Sequence, residues 1–361
     1  MPINILHITP DFDLTSGVTR HLLDLLKIFN NDKEYSIHLI TNRGDAIDLL
    51  KNYNIKLNII PFSKGRKGIF GFLKFKNQIE DYCVANNIKI IHTHHRYPEL
   101  AAYYVSNKQE VKTITTAHSI VKGYKRMSFR SDKVIAVSNT VKDHIINHFS
   151  ISPERVEIIY NPVIFPLLSY NKKQLKEKLQ IPENKFVLLF VGRISKEKGT
   201  EILLDALWSL KSELENLLLI IVGTIEENNL FNNYSFDENH LKYFPPTENI
   251  SQYYELSDIV VLPSRIDSFP YVMLEAGWFK KPFVGSKTGG IAEFIEDGVN
   301  GFLCEPGNAA EFTKKIRFVI DNKEKAGLAA ENLYEKVKLH CNSEKYFEKL
   351  IRIYNNLLND K

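Results

Sequence analysis

Residues 186–222 read FVLLFVGRISKEKGTEILLDALWSLKSELENLLLIIV. This stretch contains, in order, an apolar run, a loop rich in glycine and cations, a helical pattern over Glu201–Leu210 and a second apolar run over Leu217–Val222. Short apolar runs that alternate with helix-length segments are typical of buried parallel strands joined by crossover helices. This stretch therefore predicts a strand–helix–strand unit of a parallel sheet.

The same alternation extends along the chain in two series of predicted strands. They cover Ile3–Thr9, Ser36–Ile40, Ile88–His92, Thr113–Thr116, Lys133–Val137 and Val156–Tyr160, and then Phe186–Val191, Leu217–Val222, Asp258–Leu262, Pro282–Gly285 and Gly301–Cys304. The interval from Asn161 to Asn184 separates the series. We predict an α/β fold of two doubly wound parallel-sheet domains that face each other across a cleft.

The length of 361 residues also favours two domains. We place the first at 1–165 and the second at 166–342, and we expect the last helix, about 343–361, to pack back onto the first. Residues 1–165 contain 22 basic and 15 acidic residues, whereas the remainder contains 25 basic and 28 acidic residues. A basic first half is compatible with nucleic acid, an anionic membrane or a phosphorylated substrate.

Composition and missing motifs exclude several classes of protein. With 44% apolar and 25% charged residues the chain is globular, and its three cysteines support neither a disulfide framework nor a zinc motif. No apolar run is long enough for a membrane span, and the amino terminus does not read as a secretion signal, so we expect a cytoplasmic protein. The absence of G-x-G-x-x-G, P-loop and G-x-S-x-G motifs disfavours dinucleotide redox enzymes, P-loop nucleotidases and serine hydrolases.

Two segments that follow predicted strands carry candidate binding residues. In Gly192–Thr200, Arg193 and Lys198 lie between a strand end and a helix capped by Thr200, where two cations could clamp a diphosphate without metal. In Ser264–Phe279, Pro270 suits the first turn of a helix, so the backbone N–H groups of residues 268–272 would form an anion site.

Glu275 is the only charge between Tyr271 and Phe279, and a carboxylate on so apolar a helix needs a partner. Ligand hydroxyls and a basic residue of a neighbouring element are both possible partners.

Together these residues resemble a family, the retaining GT-B glycosyltransferases that include sucrose-phosphate synthases and bacterial mannosyl- and glucosyltransferases. The resemblance covers nearly the whole chain. Its strongest part is an acid pair, Asp267-x7-Glu275, followed by a set of short motifs. These are Lys281-Pro282, Gly289-Gly290, Glu293 and Asp297-Gly298-x-Asn300-Gly301-Phe302. The Gly192-Arg193…Lys198-Gly199 loop, Val137-Ser138, Tyr160-Asn161-Pro162 and Asp258…Pro263-Ser264 also match.

The resemblance implies a GT-B fold of two Rossmann-like domains and a role for each matching residue. Arg193 and Lys198 would hold the donor diphosphate, and Glu275 the ribose hydroxyls. The transferred sugar would meet Asp267 and the backbone of Ser268, Phe269, Pro270, Tyr271 and Val272. Gly17 resembles the glycine whose N–H approaches the distal phosphate, His118 the histidine near the donor sugar, and Phe244 lies where the family binds the base through backbone.

Two positions of this sequence depart from the motifs of the family. The first acid of the usual Glu-x7-Glu is Asp267, one methylene shorter, and the usual Gly-Gly of the first loop is Ser16-Gly17.

Nine of the eleven histidines precede residue 165, and the alternation His92-Thr93-His94 would place two rings on one strand face. No carboxylate lies at a suitable spacing, and we treat Asp11-Phe12-Asp13 as incidental, so we expect neither a bound metal nor another cofactor.

The segment Lys64–Lys76 contains five cations and five large apolar residues without an acid, a composition typical of a membrane-surface element. A second basic stretch contains Lys122, Lys125, Arg126, Arg130 and Lys133. An ordinary helix buried on one side and a solvated loop are the alternatives.

The function predicted is a metal-independent, retaining glycosyltransferase that moves a sugar from a nucleotide diphosphate sugar, such as a UDP-sugar, to a saccharide or lipid-linked saccharide. Surface-polysaccharide or lipopolysaccharide assembly at the inner face of the cytoplasmic membrane is the expected setting, with no nucleic-acid partner. A nucleotide-sugar epimerase of the same fold and a non-catalytic partner subunit are the alternatives.

Overall fold

The structure is a computed structural model that describes residues 2–30, 32–42, 44–61, 68–165, 170–211 and 214–359. The chain forms two compact units. The first comprises Met1–Pro162 and Ser343–Lys361, and the second comprises Val163–Asn342. The closing segment of the chain therefore belongs to the first unit.

The sheet of the first unit has seven parallel strands within the described ranges, in the order β3-β2-β1-β4-β5-β6-β7. The strands are β1 (Ile3–Thr9), β2 (Tyr35–Thr41), β3 (Lys56–Ile59), β4 (Ile88–Thr93), β5 (Lys112–Ala117), β6 (Lys133–Ala136) and β7 (Val156–Ile158). The α-helices between them are α1 (Gly17–Phe29), α2 (Ile69–Ala85), α3 (Arg96–Ser106) and α4 (Asn139–Phe149).

The sheet of the second unit has six parallel strands over the residues described, in the order β10-β9-β8-β11-β12-β13. The strands are β8 (Phe186–Val191), β9 (Leu217–Val222), β10 (Leu241–Phe244), β11 (Ile259–Leu262), β12 (Phe283–Ser286) and β13 (Phe302–Cys304). The α-helices are α5 (Lys172–Lys178), α6 (Thr200–Leu210), α7 (Ser251–Leu256), α8 (Tyr271–Trp278), α9 (Gly289–Phe294), α10 (Ala309–Asp321) and α11 (Lys323–His340).

The last helix, α12 (Ser343–Asn359), packs against the first unit. Leu350, Ile353 and Tyr354 of α12 are buried in one core cluster with residues of α1, including Leu22 and Leu26. A second cluster on α2 and α3 packs with other residues of the same sheet. Helices therefore bury the apolar side chains of this sheet in two separate clusters, as expected for a doubly wound parallel sheet.

The predicted fold class of two doubly wound parallel-sheet domains is confirmed, and most predicted strands differ from the observed ones by one or two residues. The sequence patterns do not predict β3 and β10. Both lie at the edge of a sheet, where one side of the strand has no neighbour. Their residues are mostly exposed or only partly buried, so they lack the apolar run that marks the central strands. Within the described ranges, no helix is both long and apolar enough to cross a membrane.

Candidate functional site

The strand order of the second unit reverses between β8 and β11, which pair in parallel. The loops that leave the carboxyl ends of these two strands are Gly192–Gly199 and Pro263–Pro270. In open parallel sheets the crevice at such a reversal is the usual ligand site. The candidate residues Arg193, Lys198 and Asp267 all lie on these two loops.

The backbones of the two loops lie in direct contact. Gly199 has a φ of +71°, and a Cβ added there would lie 2.0 Å from the carbonyl oxygen of Pro263. The N–H of Arg265 donates to the carbonyl of Glu197 at 2.9 Å. Only glycine meets both the left-handed conformation and the close approach at position 199. This contact fixes the start of the helix that follows.

Helix α6 begins one residue earlier than predicted, because Gly199 and not Thr200 is its N-cap residue. The Thr200 hydroxyl still has a local function, since it accepts from the N–H of Ser195 at 3.1 Å. It therefore stabilises the loop that carries Arg193 and Lys198.

Lys198 and Asp267 form an ion pair across the two loops, with 2.6 Å between Nζ and Oδ2. Their side chains are only 19% and 9% exposed. The Ser264 hydroxyl donates to the same carboxylate oxygen at 3.2 Å. The structure thus brings together a cation and an acid that the sequence assigned to the same site, in a partly buried place where charge interactions are stronger than in water.

Arg193 is held by two carboxylates. Its Nη2 donates to Glu197 at 2.7 Å, and its Nη1 lies 3.1 Å from Glu226. Burial lowers the pKa of Arg193, but the charges of Glu226 and Glu197 outweigh this effect and raise it. The guanidinium is therefore a fixed cation whose charge is locally neutralised. Glu226 lies in the loop after β9, and no sequence pattern pointed to it.

The glycine pair Gly289-Gly290 supports the backbone of Asp267 and Ser268. Gly289 has a φ of +46°, and a Cβ there would lie 1.8 Å from the carbonyl oxygen of Asp267. The N–H of Gly290 donates to that same oxygen at 3.1 Å. The pair therefore positions the acid loop and needs glycine for steric reasons.

Helix α8 follows the acid loop and begins at Tyr271, so Pro270 is its extended N-cap residue and not part of its first turn. Phe269 is buried against Phe294. Glu275 lies on α8 with 5% exposure, and its carboxylate accepts from the hydroxyl of Tyr254 on α7. The sequence predicted either a basic residue or ligand hydroxyls as the partner of Glu275. The observed contact comes from Tyr254, which the sequence did not identify.

Other residues of the resemblance shape loops. Asp297 accepts from the N–H of Leu303 at 2.8 Å and pairs with Lys315 at 2.7 Å. Asn300 accepts from the N–H of Glu296 at 2.7 Å. These two residues therefore build the turn before β13. Phe244 lies on edge strand β10, with its ring 5.1 Å from that of Tyr253.

In the first unit the strand order reverses between β1 and β4. Gly17 follows β1 as the first residue of α1, and the Ser16 hydroxyl caps that helix by accepting from the N–H of Thr19. A Cβ added at Gly17 would meet no atom within 4 Å. Nothing within the described chain therefore requires glycine at this position.

Four buried histidines and one partly buried histidine converge near the same reversal. His7 lies on β1, His92 on β4 and His21 on α1, while His94 and His118 follow β4 and β5. The rings of His92 and His94 stack with 4.7 Å between centroids, as the alternation predicted.

Burial is the main cause that lowers the pKa of each of these five histidines, to about 3 for His7 and about 4 for His21. All five are therefore neutral near neutral pH. The sequence showed that histidines are frequent in this half, but not that His7 and His21 join the others.

The membrane-surface prediction falls partly outside the described residues, because 62–67 are not described. In the part that is described, Ile69 and Phe70 begin α2 with 70% and 85% exposure, and Phe75 is buried in the core. Lys76 is buried and paired with Glu80, so it offers no free charge to a surface. Lys122, Lys125, Arg126 and Arg130 of the second stretch are exposed.

Comparison with known proteins supplies the family. Residues 15–164 match the family model "Glycosyltransferase Family 4", and residues 171–336 match "Glycosyl transferases group 1". The chain is 24% identical to N-acetyl-alpha-D-glucosaminyl L-malate synthase of Bacillus anthracis over 91% of each chain. It is 22% identical to the capsular polysaccharide biosynthesis glycosyltransferase CapM of Staphylococcus aureus, over 92% of this chain and 93% of CapM.

The fold matches that of solved glycosyltransferases. The crystal structure of Anabaena Alr3699/HepE in complex with UDP-glucose superposes with a TM-score of 0.84 at 20% identity, over 98% of this chain and 100% of that one. The architecture of two parallel-sheet units is that of the GT-B enzymes. The two family models cover nearly all of both units, and the chain therefore belongs to the group 1 glycosyltransferase family.

Proposed function

We propose that this glycosyltransferase is a retaining, metal-independent enzyme that moves a sugar from a nucleotide diphosphate sugar to a saccharide acceptor. The observation that carries the proposal is the ion pair between Lys198 and Asp267, beside Arg193, at the strand reversal of the second unit. These residue types are complementary to the two parts of the donor. Cations complement the diphosphate, and a carboxylate complements sugar hydroxyls.

Donor binding would exchange contacts inside the chain for contacts with the ligand. Lys198 and Arg193 now pair with Asp267, Glu197 and Glu226. A diphosphate would attract both cations, which would leave the Asp267 carboxylate available to the hydroxyls of the transferred sugar. The backbone from Ser268 to Val272 would lie beside that sugar, Glu275 would bind the ribose and Phe244 would lie near the base. The UDP-glucose complex of the Anabaena relative supports a UDP-sugar as the first donor to test.

Cleavage of the bond between sugar and phosphate places negative charge on the leaving diphosphate. Arg193 and Lys198 would stabilise that charge as it develops, which is the role that a divalent cation has in other transferases. The acceptor hydroxyl would attack from the face that the leaving group vacates, with the leaving phosphate as base. Retention of configuration follows from that geometry. His118 would contact the donor sugar, and the N–H of Gly17 the distal phosphate.

We further propose that the enzyme works in the cytoplasm, at the inner face of the membrane, on a saccharide or lipid-linked saccharide of surface-glycan assembly. Support comes from the exposed Ile69 and Phe70 at the start of α2, which directly follow the basic segment Lys64–Lys67 in sequence. Apolar side chains next to cations suit the headgroup region of an anionic bilayer. The similarity to a capsular polysaccharide glycosyltransferase supports the same setting.

Arg193→Ala and Lys198→Ala should each lower turnover of a UDP-sugar by about 100-fold, because each removes a preorganised charge from the leaving diphosphate. Lys196→Ala is the matched control, since Lys196 is an exposed cation of the same loop and should leave turnover close to wild type. Initial rates and far-UV circular dichroism of all three variants provide the measurement. Near-normal rates in both Arg193→Ala and Lys198→Ala would contradict the role of these two cations in holding the diphosphate.

The assays are run in EDTA, because the proposed clamp replaces a metal ion. Full activity is expected there. Loss of wild-type activity in chelator, with recovery on addition of Mg²⁺ or Mn²⁺, would refute metal independence. Incubation with donor alone should leave the donor unchanged, whereas conversion to its epimer would favour an epimerase.

Gly17→Ala should raise the dissociation constant of the donor by about tenfold or more, because a methyl group would keep the phosphate from the backbone N–H and cost a charge-assisted hydrogen bond. Stability should not fall, since the added Cβ meets no atom and alanine is the better helix residue. Gly327→Ala on α11 is the control, because its Cβ is equally unobstructed. Titration calorimetry that gives equal donor affinity for both variants would contradict the role of Gly17.

Replacing Ile69 and Phe70 together by serine should weaken binding to phosphatidylglycerol-containing vesicles at least about tenfold, because both side chains would lose burial in the bilayer. Leu328→Ser with Leu339→Ser is the control, since these leucines are exposed on α11. Vesicle sedimentation at low and high salt measures the effect. Wild-type protein that ignores anionic vesicles at low salt would refute membrane contact.

A further inference from the structure

Three of these histidines form a continuous hydrogen-bonded chain that runs from the buried His7 through the buried His94 to the partly exposed His118. Nδ1 of His7 lies 3.1 Å from Nε2 of His94, and Nδ1 of His94 lies 3.1 Å from Nε2 of His118. The planes of the paired rings are close to parallel, with interplanar angles of 20° and 29°. Each pair of centroids is 5.4 Å apart. This centroid separation is about the sum of the nitrogen–nitrogen distance and the distance from each nitrogen to the centre of its own ring. The two nitrogens of each pair therefore point at each other.

Such a chain has two proton arrangements when all three rings are neutral. A neutral imidazole carries one N–H and one acceptor nitrogen, so every ring donates in the same direction along the chain. In the outward arrangement His7 donates to His94, His94 donates to Nε2 of His118, and His118 carries its proton on Nδ1. In the inward arrangement every proton lies on the other nitrogen of its ring.

The two ends of the chain have different surroundings. His7 is fully buried, and its Nε2 has no hydrogen-bond partner among the described residues. His118 is partly exposed, so its free nitrogen can meet water or a ligand. The inward arrangement would leave a buried N–H without an acceptor, whereas the outward one leaves only an unused lone pair. Orphaned buried N–H groups are the rarer of the two in proteins.

We propose that His7 and His94 are positioning residues that hold His118 in the tautomer with the proton on Nδ1, so that His118 presents a hydrogen-bond donor. The tautomer follows from the hydrogen bonds among these three histidines alone. Its use, donation of this N–H to an oxygen of the donor sugar, rests on the proposed function.

Neighbouring groups hold the chain in place without entering it. His92 stacks on His94, while its own nitrogens contact the Tyr354 hydroxyl at 2.8 Å and the Thr116 hydroxyl at 2.7 Å. His21 donates from Nδ1 to the Asn161 side-chain oxygen at 3.2 Å. Its Nε2 then accepts from the hydroxyl of Tyr346 at 3.0 Å. Both nitrogens of His92 and of His21 are therefore in use, and neither ring competes for His94.

A metal ion is the alternative occupant. Each of two groups, His7 with His92 and His94 and His21 with His94 and His118, has ligand atoms within 4.8 Å of one another. A tetrahedral zinc ion with bonds of about 2.0–2.1 Å needs nitrogens that point at a common centre, whereas the nitrogens of each pair point at each other across 3.1 Å. The third ring of each group also has both nitrogens in other hydrogen bonds. The contacts therefore favour the hydrogen-bonded chain.

The test is imidazole nitrogen NMR on the full chain labelled with ¹⁵N-histidine, in the absence of ligand and of added metal. The His118 signals, assigned by His118→Asn, should show a protonated Nδ1 and a bare Nε2, with at least about tenfold excess over the other tautomer. A protonated Nε2, an imidazolium or an even mixture would overturn the proposal. So would stoichiometric Zn²⁺ in the purified protein that His94→Gln removes.

Two variants test the cause of the preference. In His94→Gln an amide that can donate or accept replaces the middle ring, so the tautomers of His118 should approach equal population. His38→Gln is the matched control, because His38 is also buried on a strand, contacts Tyr82 at 3.0 Å and has an unpartnered Nε2. An unchanged tautomer ratio in folded His94→Gln would overturn the assignment to the chain. If that variant does not fold, the wild-type spectrum still decides.

Turnover tests the use of the N–H separately. The amide of asparagine can take the place of Nδ1–H, whereas that of glutamine takes the place of Nε2. His118→Asn should therefore retain at least about tenfold more turnover than His118→Gln. Equal turnover of the two would overturn the role in the reaction even where NMR supports the tautomer. Absence of any transferase activity in wild-type protein would instead reject the proposed function.

Discussion

The ion pair between Lys198 and Asp267 is the contact around which the site of the second unit is arranged. It joins two loops from adjacent parallel strands, and the glycines at 199, 289 and 290 allow the surrounding backbones to approach closely enough for it to form. A partly buried pair is held more firmly than one in water, so it keeps the two loops together. The same atoms are then available to a ligand that carries both phosphate and hydroxyl groups.

The two units keep their polar groups in different states. Arg193 and Lys198 of the second unit are paired with acids, so ligand binding there would be an exchange of partners. The five clustered histidines of the first unit are neutral, because burial lowers their pKa and disfavours their charged form. A neutral histidine beside the donor sugar would orient that sugar by donating one N–H to it. The stabilisation of charge would remain with Arg193 and Lys198.

The sequence predicts the central strands well because each is a continuous apolar run between turn residues, and Phe186–Val191 and Leu217–Val222 are observed with the predicted bounds. Edge strands such as Lys56–Ile59 escape prediction because exposure removes that pattern. Among site residues, Arg193 and Lys198 could be found from their places after a strand, and Asp267 from the resemblance to the family. Partners such as Glu226, Tyr254 and His7 could not, because only the fold brings them to residues distant in the chain. The starts of α8 at Tyr271 and α6 at Thr200 differ slightly from prediction, because neither N-cap residue, Pro270 or Gly199, makes a side-chain capping hydrogen bond.

Amide hydrogen exchange of the EDTA-treated full chain, with and without saturating UDP-glucose, tests most directly whether the strand ends of the second unit hold the donor. We expect slower exchange in residues 192–200 and 267–275, because ligand contacts would stabilise both loops against local opening. Binding of UDP-glucose with unchanged exchange in both segments would contradict it.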